Sequence, residues 1–168
     1  MATPTYILMD SVTLGSSTSS VNFTSLDQSF SDLVLVVQAN GSGGKTFGQI
    51  NFNYDNSPSG TNYNTRVIRS DGSNAPSAVA NSNYPRLVPN QIYSYANSGD
   101  TMTSFVNIFS YSSTDKYKSI IYKSKGSEGF EIGGGYWESN SAITTLTFST
   151  NQFAFASGST FYLYGIEA

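Results

Sequence analysis

The chain has 168 residues, which is the size of one domain and is long enough to bury a hydrophobic core. It contains no Cys and no His, which excludes disulfides, thiolate or histidine metal sites and Ser-His-Asp triads. The formal net charge is -3, from 8 basic and 11 acidic residues, so the concentrated positive charge of a nucleic-acid-binding protein is missing. No segment resembles a signal peptide or a membrane span, so we expect a protein that is made in a cytoplasm, stays soluble or assembles there, and contacts no membrane.

Along the chain, apolar residues alternate with polar ones at a period of two, which is typical of strands and not of helices. Near the C-terminus, Phe161 and Leu163 point one way while Tyr162 and Tyr164 point the other. The continuous apolar run 33–37 is typical of a strand that is buried on both faces. The alternation and the intervening turn residues predict ten strands, at residues 5–14, 19–24, 32–39, 47–54, 64–70, 102–112, 117–125, 128–135, 142–149 and 159–166.

Ten short strands with regularly spaced turns predict an all-β fold, a single antiparallel jelly-roll-like β-sandwich that spans residues 1–168. Residues 73–90 contain three prolines and little alternation, so we expect a surface loop or arm there. The apolar side of the strands supplies the expected core, which consists of Phe23, Leu33, Leu35, Val37, Ile50, Phe52, Leu146, Phe148, Phe161 and Leu163.

The acidic residues do not form an obvious catalytic pair. A glycosidase needs two carboxyl groups across a cleft, but the spacing of Glu128 and Glu131 puts them on opposite faces of a strand. The acidic residues in predicted turns are Asp55, Asp71, Asp100 and Asp115. We interpret these carboxylates as turn formers and solvated charges, and we predict no catalytic residue and no enzymatic activity.

Two further sets of polar residues are candidate binding sites. Residues 71–74 are rich in oxygen ligands for calcium, but an ordinary turn explains them better, so we predict neither a metal nor a cofactor. Four lysines surround one predicted strand: Lys116, Lys118, Lys123 and Lys125. We interpret them as a solvated face or as protection of a sheet edge against unwanted pairing.

Aromatic side chains are abundant, with 12 Tyr and 11 Phe. Trp137 has two interpretations, an exposed platform for a sugar or, as we favour, a ring packed against its own sheet. Tyr84, Tyr93 and Tyr95 lie in or after the proline-rich segment, and Tyr is enriched in protein interfaces. These four residues are the candidate partner-binding residues.

Five motif segments follow one another along the chain. The first is Val21-x-Phe23-x-x-Leu26-x-Gln28-x-Phe30-x-Asp32-Leu33-x-Leu35. The other four are Ile50-Asn51-Phe52-Asn53 with Asn62-Tyr63, Lys116-Tyr117-Lys118-Ser119, Gly135-Tyr136-Trp137-Glu138-Ser139 with Ala142-Ile143-Thr144, and Gly158-Ser159-x-Phe161-x-Leu163-Tyr164-Gly165-Ile166. In this order the segments resemble a group of virion proteins of tailed bacteriophages and cyanophages, whose N-terminal signature is V-x-F-x-x-I-x-Q-x-Y-x-D-L-x-L. The chain departs from the group at Tyr54, where Gly is usual. Independently of the resemblance, Gly165 is expected to let two backbones come close.

The resemblance implies a component of the virion and carries no catalytic residues. Within that class we expect a capsid decoration (cement) protein, a homotrimer that contacts the major capsid protein through residues 73–90 and 1–6. The alternative is a tail-fibre-associated receptor-binding module that recognises host surface carbohydrate, which requires exposed aromatic side chains at a concave site.

Overall fold

In the computed structural model, the alternating segments of the chain form antiparallel strands. The structure describes residues 5–42, 45–46, 48–53, 63–70, 77–80, 92–93, 101–126, 129–150 and 154–167. These residues form fourteen strands and no helix, and so contain no helix capable of crossing a membrane. The strands are β1 (Tyr6–Thr13), β2 (Ser20–Thr24), β3 (Asp32–Ser42), β4 (Lys45–Thr46), β5 (Gly48–Phe52), β6 (Tyr63–Ser70), β7 (Ser77–Ala80), β8 (Ile92–Tyr93), β9 (Thr101–Phe109), β10 (Lys118–Gly126), β11 (Gly129–Trp137), β12 (Thr145–Thr150), β13 (Ala154–Phe155) and β14 (Thr160–Ile166).

Two antiparallel sheets pack as a sandwich. The larger has nine strands in the order β1-β14-β3-β9-β10-β11-β6-β7, with β13 joined to β3, and the smaller has the order β2-β12-β5. Strands β4 and β8 form a separate pair. This arrangement confirms the predicted all-β sandwich. It does not confirm the jelly-roll topology, because a jelly roll distributes eight strands over two Greek keys.

All ten predicted strands are present, and each of their ends lies within three residues of the prediction. The additional strands β4, β7, β8 and β13 contain only two to four residues each. Strand β7 lies inside the segment that was predicted to be an arm and pairs with β6 at the edge of the large sheet. The arm prediction is therefore wrong for residues 77–80, and the rest of that segment lies outside the described residues.

The two sheets share one hydrophobic core. All ten residues predicted to be buried are buried, with at most 1% of their surface exposed. Phe148 of the small sheet meets Phe155 and Phe161 of the large sheet, with ring centroids 5.4 and 5.8 Å away. Aromatic rings at these separations contribute more than their buried area alone.

Asn53 connects two of the motif segments at the end of β5. Its backbone has a φ of 50°, the left-handed region that Asn tolerates better than most residues. Its side-chain Oδ1 accepts hydrogen bonds from the backbone N–H groups of Thr144 and Thr145, at 2.7 and 3.1 Å. Its Nδ2 donates to the carbonyl oxygen of Ala142 at 2.7 Å. The motif residue Asn53 therefore fixes the irregular segment that leads into β12.

The polar residues of the N-terminal motif have similar structural roles. Nε2 of Gln28 donates to the carbonyl oxygen of Ile143 at 3.1 Å, so this motif also holds the segment before β12. Oδ1 of Asp32 accepts a bond of 2.7 Å from the backbone N–H of Ser110, which has a φ of 55° in the turn after β9. These contacts explain why polar residues interrupt an apolar motif.

Gly165 allows a close contact of a different kind from the one predicted. A Cβ atom at this position would lie 2.4 Å from the ring of Phe30, so a side chain and not a second backbone needs the space. Gly133 has the same role beneath Tyr122, whose ring would lie 2.4 Å from an added Cβ. Both glycines make room for aromatic rings on the inner face of the large sheet.

Candidate functional site

The outer face of the large sheet, which points away from the small sheet, carries large hydrophobic side chains. The exposed large hydrophobic residues among the described ones are Tyr6, Leu8, Ile68, Phe105, Tyr117, Ile121, Phe130, Ile132 and Tyr136. Eight of the nine lie on strands of this sheet, and the other, Tyr117, stacks on Tyr136 with ring centroids 6.3 Å apart. Single exposed hydrophobic residues are ordinary, whereas a contiguous group marks an interaction surface.

Strand register brings five of these residues together. Phe105 on β9 lies opposite Lys123 on β10, which lies opposite Ile132 on β11, and this residue lies opposite Ile68 on β6. This line of side chains crosses four adjacent strands. We call the apolar members of the line and their neighbours in adjacent rows the sheet-face patch, which consists of Ile68, Phe105, Ile121, Phe130 and Ile132. A depression of about 440 Å³ lies in it, lined by Phe105, Phe130 and Ile132 among others.

All the charged side chains that the structure describes around the sheet-face patch are positive. Nζ of Lys123 lies 4.9 Å from the centre of the Phe105 ring, within range of a cation–π interaction. Lys125 and Arg66 are also exposed on this face. Among the described residues, no acidic side chain lies on the outer face of β6, β9, β10 or β11. The patch therefore combines apolar contact area with positive charge.

The inner face of the same strands is unexpectedly polar. Glu131 is 2% exposed, and the hydroxyl of Tyr122 donates to its Oε1 at 2.5 Å. Burial, together with the nearby carboxylate, raises the pKa of Tyr122 far above its ordinary value. The hydroxyls of Ser104 and Ser124 share a buried hydrogen bond of 2.6 Å. The prediction that the acidic residues are solvated is therefore wrong for Glu131, while Glu128 lies outside the described residues.

The lysines do not protect a sheet edge, as β10 lies between β9 and β11 in the interior of the large sheet. Lys123 and Lys125 are exposed on the outer face of the large sheet, in agreement with the other interpretation, a solvated face. Lys118 is fully buried, and its Nζ donates to the carbonyl oxygens of Lys116 and Ser139 at 2.7 and 3.3 Å. Burial lowers the pKa of Lys118 because it disfavours the charged ammonium.

Trp137 lies in the core, where 3% of its surface is exposed. Its ring centroid is 5.7 Å from that of Phe52 and 6.3 Å from that of Tyr63. Trp137 is therefore a packed core residue, as the favoured interpretation required, but its ring packs against Phe52 of the small sheet as well as Tyr63 of its own sheet. The assignment of Trp137 as a partner-binding residue is wrong because a partner cannot reach it. Tyr84 and Tyr95 lie outside the described residues, as does the side chain of Tyr93, whose backbone belongs to β8.

A second depression, of about 270 Å³, lies between β1 and the loop after β2 and includes Asp10 and Asp27 in its lining. The carboxylate of Asp27 accepts a bond of 2.9 Å from the N–H of Ser29, which lowers its pKa. A general acid of a glycosidase needs the opposite shift. The described residues contain no group of three or more acidic side chains arranged to hold a metal ion, and the candidate calcium segment 71–74 lies outside them.

Comparisons of the chain with protein-family models, with characterised proteins and with solved structures found no match. The features that bear on function are therefore the sheet-face patch and the five motif segments.

Proposed function

We propose that the chain is a structural protein of a tailed-phage virion, and specifically a capsid decoration protein that binds the outside of the head shell. The observation that carries this proposal is the sheet-face patch. A sheet face that carries a group of exposed apolar side chains is suited to binding another folded protein. The motif segments support the same class, because the group that they resemble consists of virion components.

The distribution of side chains on β10 and β11 strengthens the argument. On these strands Phe130 and Ile132 face outward, whereas Glu131 and Ser124 face inward. An isolated sandwich gains most stability from the reverse arrangement, since apolar area is best removed from water. The outward hydrophobic residues therefore make sense as a surface that becomes buried on assembly.

The alternative is a tail-fibre-associated module that binds host carbohydrate. With Trp137 buried, this alternative depends on the exposed stacked rings of Tyr117 and Tyr136, whose planes are inclined by only 5°. Sugars commonly need an aromatic face within a concave site. The pair lies beside a sheet surface and does not line either depression described above, so we favour the decoration protein.

The location of the protein in particles of the virus that encodes it tests the proposal. Antibody labelling in electron micrographs is expected to mark the head, and the purified chain is expected to bind heads that lack it. Labelling of the tail alone would favour the carbohydrate-binding alternative. Absence of the protein from washed particles would overturn both.

Trimer formation is a separate part of the proposal. Light scattering of the purified chain at micromolar concentration is expected to give three times the mass of one chain. A monomer at that concentration would contradict the trimer without affecting attachment to the head.

A further inference from the structure

The charge pattern of the sheet-face patch specifies its partner more closely. Lys123 lies between Phe105 and Ile132 within the patch, Lys125 and Arg66 lie in the adjacent rows, and no described acidic residue shares the outer face of these four strands. We infer that the patch binds a protein surface on which carboxylates lie among apolar side chains. This inference deepens the proposed function, because it defines what the shell must present to a decoration protein of this kind.

A second copy of the chain is a poor match for the patch. A two-fold contact of patch against patch would bring Lys123, Lys125 and Arg66 close to the same cations of the other copy, and like charges across an interface are unfavourable. The exposed carboxylates of the described residues are Asp10, Asp27, Asp115, Glu138 and Glu167. Asp10 and Asp27 share the depression beside β1, and none of the five lies on the outer face of the four strands that carry the patch. Charge complementarity therefore favours a different protein.

The composition of the patch favours protein over nucleic acid. Three of its five members are isoleucines, of which Ile68 is 57%, Ile121 is 54% and Ile132 is 50% exposed. Branched aliphatic side chains offer no flat ring on which a base stacks, and single-stranded nucleic acid is bound chiefly by stacking and by cations. Apolar contact at the centre with ion pairs at the rim is the usual anatomy of a protein interface.

The area of the patch indicates a modest interface. Four strands about 4.8 Å apart and three rows of side chains about 7 Å apart give roughly 400 Å². A stable interface buries about 800 Å² on each partner. Because the area is small, the positive charges are expected to determine which partner binds and how fast it associates. Charge complementarity affects specificity and association rate more than affinity.

Two variants separate the charged and apolar components of the patch. The double variant K123E/K125E reverses two of its positive charges, and I132D places a carboxylate at one of its apolar positions. Their matched controls are K116E, at an exposed lysine before the start of β10, and L8D, at an exposed leucine on β1. All five positions are exposed, so thermal melts are expected to show that the variants fold.

The binding probes are four defined materials: a soluble peptide of alternating Glu and Leu, its Lys–Leu counterpart, single-stranded DNA and phosphatidylglycerol vesicles. In fluorescence anisotropy and vesicle sedimentation, only the Glu–Leu peptide is expected to bind, and added salt should weaken its binding. Each patch variant is expected to lose about tenfold or more in affinity, the effect of removing a few favourable contacts, while K116E and L8D match the wild type. Equal binding to the Lys–Leu peptide, to DNA or to vesicles would overturn the inference, as would concentration-dependent self-association that only the patch variants lose.

The same variants distinguish this inference from the proposed function. If wild type and K123E/K125E decorate heads equally, the protein is a decoration protein but the patch is not its charged contact. If the Glu–Leu peptide binds selectively but the protein is absent from virus particles, the inference holds and the virion assignment fails.

Discussion

Asn53 is expected to stabilise the fold more than a partly exposed residue usually does. The substitution N53G keeps the positive φ accessible but removes the side chain. It therefore deletes the bonds to the backbone of Thr144, Thr145 and Ala142. The substitution N53A removes the same bonds but, unlike N53G, keeps a Cβ in the left-handed region.

The expected magnitudes follow from these contacts. A hydrogen bond contributes about 1 kcal/mol net, and water replaces part of the bonding at a half-exposed site, so we expect N53G to lose about 2 kcal/mol. N53A should lose about 1 kcal/mol more because of its unfavourable φ. The matched control is N22A. The side chain of Asn22 accepts one exposed bond, from the hydroxyl of Thr147, so its removal should cost less than about 1 kcal/mol.

Urea denaturation followed by intrinsic fluorescence measures these differences. With a slope of about 2 kcal/mol per molar urea, N53G should lower the midpoint by roughly 1 M. The reasoning is refuted if N53G and N22A unfold at the same urea concentration. If N53A is more stable than N53G, the positive φ of Asn53 is not maintained in solution.

Three further predictions concern the core. Leu35→Ala should lower the free energy of unfolding by about 2–5 kcal/mol, since Leu35 is fully buried, and an unchanged urea midpoint would show that β3 is not central. Gly165→Ala should destabilise the fold by forcing the Phe30 ring aside, and adding Phe30→Leu to this variant should restore part of the lost stability. An unchanged urea midpoint for Gly165→Ala would contradict the close contact between Gly165 and the Phe30 ring. Burial raises the pKa of Tyr111 to about 12 and shifts that of Tyr122 in the same direction, so the unfolded chain releases these protons first. The stability that depends on these two protons is complete below about pH 10. Above that pH the free energy of unfolding falls by up to about 1.4 kcal/mol per pH unit for each tyrosine. The urea midpoint should therefore fall less steeply with pH in Tyr111→Phe than in the wild type, and equal slopes would contradict the raised pKa of Tyr111.

The sequence predicted the strands and the core well because both follow from alternation along the chain. Phe161 and Leu163 face inward and are separated by outward tyrosines, so a period-two pattern is enough to orient β14. The same is true of Phe23 on β2 and Leu146 on β12. In these strands the apolar face of the sequence is also the buried face of the fold.

The alternation of apolar and polar residues predicts the wrong buried face where the apolar side of a strand points outward. On β11 the pattern Phe130-Glu131-Ile132 predicts a solvated glutamate, yet the structure buries Glu131 and exposes both neighbours. Sequence alone did not indicate this inversion, because Tyr122, which bonds to Glu131, comes from the neighbouring strand. The glycines of β11 do indicate which of its faces is buried. Gly133 and Gly135 lie on the same face of the strand as Glu131, and glycines on one face leave room for large side chains from neighbouring strands.

The size of the sheet-face patch connects attachment with trimer formation. The area of roughly 400 Å² includes charged and polar positions, so at about 25 cal/mol per Å² the gross gain from burying its apolar part is less than about 10 kcal/mol. Association costs between about 4 and 15 kcal/mol in lost freedom of movement, so one patch supports only weak binding. A trimer would present three patches, and once the first is bound the others bind at high effective concentration. If the trimer proposal is correct, weak individual contacts and firm attachment to a repeating shell are compatible, and a monomeric variant should bind Glu–Leu peptide normally but wash off heads.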